Sequence, residues 1–98
     1  MKNYLMICLV VIALTGCSSN PGVLTEYGKK VEIVLPAKVS NCDIIGKVIG
    51  ENKDGSLEMA KIDLRNRASR MSSDSVVVKE VVQNGSHFLI NALAYKCN

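Results

Sequence analysis

Apolar and polar positions divide the chain into a leader followed by short segments of changing period. Tyr4 to Leu14 is an unbroken, uncharged run of eleven mostly apolar residues after Lys2. A spanning helix needs about 20 apolar residues, and the core of a secretory signal needs about 7–15, so the run reads as a signal core. Val31-Glu32-Ile33-Val34-Leu35 alternates and stops at Pro36, which predicts a first strand. Cys42 to Ile49 is rich in β-branched residues and predicts a second; Gly46 and Gly50 mark a bulge or a close backbone approach. Glu51 to Gly55 reads as a polar turn. Ser56 is the expected N-cap of a helix with Glu58 in its first turn. Leu57, Ala60, Leu64, Ala68 and Met71 then fall within about 80° of one another at 100° per residue, a core stripe. Met59 and Ile62 fall off it and meet a loop or solvent. Ser75 to Val82 predicts a third strand, Asn84-Gly85 a hairpin turn, and Phe88 to Tyr95 a fourth strand.

The order β-β-α-β-β predicts an α+β domain, with one helix packed on an antiparallel or mixed sheet. The long apolar runs of strands three and four imply that both sheet faces are partly covered or that one meets a partner.

Leu14-Thr15-Gly16-Cys17 closes the signal core and resembles the lipobox, the cleavage site of bacterial lipoproteins. Its chemistry explains the spacing: the transferase needs the thiol, and the peptidase needs small residues beside the cut. Cys17 is the expected lipidation site and mature N-terminus. The organisation is then 1–16 signal peptide, 17–30 lipidated N-terminus and short tether, and 31–98 the α+β domain. Ser18 to Gly28, with Pro21 and Gly22, is expected to be loosely ordered. The membrane, reached through the N-terminal lipid anchor, is the first expected partner. Asp after the lipidated Cys favours inner-membrane retention in enterobacteria-like sorting, so Ser18 points to the outer membrane.

Composition adds limits. The chain has 98 residues and a formal charge of +3; without Lys2 eleven basic residues face nine acidic ones, and the formal charge is +2. That is too mild for nucleic acid, and no basic-aromatic platform is visible. Cys8 leaves with the signal and Cys17 is acylated, so Cys42 and Cys97 remain. In the oxidising periplasm such a pair points to a disulfide; two free thiols, or metal ligands with His87, are the alternatives.

Cys42-Asp43-Ile44-Ile45-Gly46, Asp63-Leu64-Arg65-Asn66-Arg67-Ala68-Ser69-Arg70-Met71 and Ala94-Tyr95-Lys96-Cys97-Asn98 resemble, in the same order, a small bacterial lipoprotein family known only as domain of unknown function 4156. The resemblance covers roughly 31–98. Its most specific parts are the Leu-Arg-Asn-x-Ala helix and the Tyr-Lys-Cys ending. More distantly, the arrangement is similar to the outer-membrane sensor lipoprotein of the Rcs envelope-stress phosphorelay. The resemblance implies a Cys42–Cys97 disulfide and no known enzymatic activity. It also makes Leu64, Arg65, Asn66 and Ala68 a structural motif, with Asn66 expected to bond an adjacent loop. This chain departs from the family in lacking most of a Gly/Ser-rich insertion before the helix. It also carries Ser72-Ser73 where Gly commonly follows the helix Met, and Asp74 where Asn is frequent. Gly supplies a left-handed helix cap at low cost, so its replacement leaves the helix end without that device.

No phosphate loop, His-Glu metal motif or Ser-x-x-Lys motif occurs, and no cofactor is expected. His87 beside the hairpin reads as a surface or satisfied histidine. The sequence therefore points to a non-enzymatic binding, sensor or assembly-accessory module with an envelope protein as its possible partner. The alternatives are a purely structural or stress-protective envelope protein and, third, a thiol redox enzyme.

Overall fold

The computed structural model describes residues 23–98. The signal peptide, Cys8, the lipobox and Cys17 lie outside the described residues. The described elements are β1 (Glu32–Ile33), β2 (Asp43–Asn52), helix α1 (Leu57–Ser69), β3 (Ser75–Asn84) and β4 (His87–Lys96), with 3-10 turns at Gly28–Lys30 and Pro36–Val39. The four strands form one mixed sheet in the order β1-β3-β4-β2. β1 runs parallel to β3, while β4 is antiparallel to both β3 and β2. The expected α+β, β-β-α-β-β arrangement is the one observed.

α1 starts where local chemistry permits. Ser56 is extended, and its hydroxyl accepts a hydrogen bond from Met59 N–H at 3.1 Å. The Asn52 side chain accepts from Asp54 N–H and Ser56 N–H at 2.9 and 3.0 Å, folding the turn into the helix. β2 therefore runs on to Asn52, past the expected end at Ile49, and the turn shrinks to the residues after it.

The helix ends at Ser69, with Arg70 as its C-cap, and Ser72 takes φ +63°. Serine thus occupies the left-handed position that glycine would fill more cheaply. Ser73 compensates: its hydroxyl donates to the Ala68 carbonyl at 2.7 Å, satisfying a carbonyl at the helix end.

Ala60, Leu64 and Ala68 of the stripe are fully buried against Val48, Val76, Ile90, Ala92 and Ala94, while Leu57 and Met71 pack at the margin. Val31 completes this core from outside the sheet, 1% exposed. Gly50 allows the close approach: a Cβ there would sit 2.5 Å from Leu64 Cβ and 2.5 Å from the Ala60 carbonyl oxygen. Ile44 and Gly46 flank a register shift against β4, the expected bulge.

Two expectations change. The first strand is confined to Glu32–Ile33, because Val31 turns into the core and Pro36 opens a 3-10 turn. The hairpin loop is Gly85-Ser86, with Asn84 still paired to His87; Gly85 takes the positive φ of +64°.

Candidate functional site

β2 and β4 end side by side. Asp43 pairs with Lys96, and the next residues outward, Cys42 and Cys97, are bonded as a disulfide with Cα atoms 4.4 Å apart. Asp74 fixes this corner. Its carboxylate accepts hydrogen bonds from Cys97 N–H (3.0 and 3.1 Å) and Asn98 N–H (3.2 Å). Its backbone N–H donates to the Tyr95 carbonyl, and its carbonyl accepts from Glu32 N–H. Sequence reading missed this role; the signal was a carboxylate immediately before a strand, where side chains commonly cap free N–H groups. The disulfide removes the free-thiol and metal readings of the pair. His87 sits at the opposite end of β4, roughly 30 Å away at strand rise. Among the described residues, no three His, Cys, Asp or Glu side chains gather as a metal site.

His87 Nε2 lies 2.6 Å from Glu51 Oε2. Glu51 N–H donates to Asp63 Oδ2 at 2.8 Å, and Arg67 bridges Asp63 at 2.9 Å and Glu51 at 3.9 Å. This partly exposed network ties α1 to the outer edge of β2. The Asp63 carboxylate also occupies the Glu51 N–H, so that edge donor is closed to an added strand.

The helix motif holds the N-terminal segment. Asn66 Oδ1 accepts from Thr25 N–H at 2.9 Å and from the Thr25 hydroxyl at 3.1 Å, while its amide donates to the Val23 carbonyl at 2.9 Å. Arg65 donates to the Val31 and Lys29 carbonyls at 2.7 and 3.2 Å. Gly28 packs against the Asn66 side chain with no room for a Cβ. Leu64 and Ala68 face the core. The tether is thus fixed along α1 from Val23 onward, where Ser18 to Gly28 was expected to be loose.

The other face of the sheet carries no α-helix among the described residues. Paired residues share a face, so Val77 with Leu93, Val82 with Leu89, Ile49 with Asn91 and Lys47 with Leu93 all project away from α1. The register shift between Val78 and Glu80 places Lys79 beside them. Lys47, Ile49, Lys79, Asn91 and Leu93 line a shallow depression of about 370 Å³. Val77 is 3% exposed although it lies outside the helix-side cluster. Glu80, on the same face, accepts from the Asn91 amide, whereas Lys47 and Lys79 make no salt bridge among the described residues.

No family model matches the chain, and no curated protein matches it closely enough to serve as a relative. Solved structures match its fold. The secreted protein SrfN of Salmonella typhimurium LT2 superposes with a TM-score of 0.61 at 17% identity, over 68% of this chain and 87% of that one. The C-terminal domain of the putative periplasmic protein ydgH from S. enterica gives 0.58 at 19% identity, over 68% and 100%. A structure of the S. typhimurium LT2 secreted protein STM0082 gives 0.56 at 14% identity, over 98% and 88%. At these identities the likeness defines the fold.

Proposed function

We propose that the chain is a membrane-anchored bacterial envelope lipoprotein whose disulfide-bonded domain works in the periplasm as a non-enzymatic binding, sensor or assembly-accessory module. The lipobox motif at Leu14–Cys17 supports the anchor, and Ser18 supports the outer membrane. The secreted and periplasmic proteins that share the fold support the compartment. The resemblance to domain of unknown function 4156 belongs to the same proposal.

The observation that carries the binding role is the helix-free sheet face. It joins Leu93 and the exposed Ile49 to two lysines that make no salt bridge among the described residues. An apolar centre flanked by positive charge fits an acidic protein surface, with the apolar contact giving affinity and the charges giving register. The test is photo-crosslinking in cells from Leu93 or Ile49. A discrete adduct that disappears with Lys47→Glu and Lys79→Glu supports the reading. Absence of an adduct, or one indifferent to both charges, favours the structural or stress-protective role. Cys42 and Cys97 trapped in alternating reduced and oxidised states would instead favour a thiol redox role.

A further inference from the structure

We infer that the segment from Val23 to Lys38 is the surface with which the domain rests on the bilayer that holds its anchor; this rests on the anchored reading above. Three observations meet in this segment. First, only five residues, Ser18 to Gly22, separate the lipidation position Cys17 from Val23, which Asn66 fixes to α1. Even fully extended they span about 20 Å, so the segment stays within reach of the headgroups.

Second, Leu35 at 75% and Tyr27 at 72% are the most exposed large apolar side chains among the described residues, and Val23 is half exposed. Leu35 has a structural cause. It is extended immediately before Pro36, and that proline begins a 3-10 turn whose only buried residue is Val39. The chain therefore holds Leu35 outward while sending Val31 and Val39 inward. An exposed tyrosine and exposed aliphatic side chains on one segment suit the boundary between headgroups and acyl chains.

Third, Lys30 and Lys38 have no carboxylate partner among the described residues, and the Lys30 ammonium lies 5.6 Å from the centre of the Tyr27 ring. Lysines flanking exposed apolar groups match anionic headgroups above acyl chains.

The chain contains no tryptophan, so Tyr27→Trp gives a single tryptophan that can be excited apart from the tyrosines, and the exposure of Tyr27 makes the change tolerable to the fold. The acylated mature chain, beginning at Cys17, is reconstituted in phosphatidylethanolamine–phosphatidylglycerol vesicles containing brominated acyl chains, with Ile49→Trp on the helix-free face as the comparison. The expected result is quenching of the Tyr27→Trp emission by about two-fold, with a blue shift and little change for Ile49→Trp. Adding Lys30→Glu and Lys38→Glu should reduce that quenching. An acylated chain that floats with the vesicles but shows equal emission at the two positions overturns the inference alone. A chain whose mass shows no acyl groups and that does not float overturns the anchored reading and this inference with it.

Discussion

The backbone of Gly50 lies directly under Leu64, so close that the two residues leave no room for a methyl group between β2 and α1. Gly50→Ala should therefore push the helix off the sheet and cost about 1–3 kcal/mol. Thermal unfolding followed by circular dichroism reads the loss. Gly46→Ala is the contrast: its Cβ would meet only the terminal methyl of Met71, at 3.3 Å, and that flexible side chain can move aside. Equal losses at the two glycines would contradict this packing.

The Cys42–Cys97 bond has a sequence separation of 55 residues. Closing a loop of that length in the unfolded chain stabilises the fold by about 4 kcal/mol on chain-entropy grounds. The double variant Cys42→Ser, Cys97→Ser should melt at least about 15 °C lower, as should the wild type under full reduction. An unchanged transition would show that the bond is dispensable for stability.

Ser72 carries the cost of a left-handed conformation. Ser72→Gly should raise stability by about 0.5–1 kcal/mol, since glycine meets no penalty at that φ. A lower melting temperature would mean that the Ser72 side chain contributes more than its backbone costs.

Asn66→Ala should release the N-terminal segment more than it weakens the domain. The variant loses acceptors for Thr25 and a donor to Val23, all in exposed bonds. The expected loss is about 1–2 kcal/mol, with faster amide exchange at Thr25 and proteolytic nicking between 23 and 30. Unchanged exchange at Thr25 would mean that Arg65 holds the segment unaided.

The helix was legible because its signals are local. The Ser56 cap and the Leu57, Ala60, Leu64, Ala68 stripe depend on residues three or four apart, and the structure uses all of them. The mixed sheet was less legible, since the parallel pairing of β1 with β3 depends on a chain crossing that no period encodes. The run Val76-Val77-Val78 concealed the two faces: Val76 and Val78 pack under α1, Val77 on the far side. The targets of Arg65 and Asn66 lie 34 to 43 residues away in sequence, beyond any local rule. Asp74 was read only as a replacement for asparagine, because its bonds go to a chain terminus 23 and 24 residues downstream.

The bond between Cys42 and Cys97 makes a covalent ring of β2, α1, β3 and β4, and Val31 enters that ring from outside like a cork. A protease cut between Val31 and Cys42 would leave the ring unbroken yet sever the cork from it. The cork would then be held only by the hydrogen bonds of Arg65 and Asn66 and by the pairing of β1 with β3, so one cleavage would turn a covalent part of the fold into a detachable one.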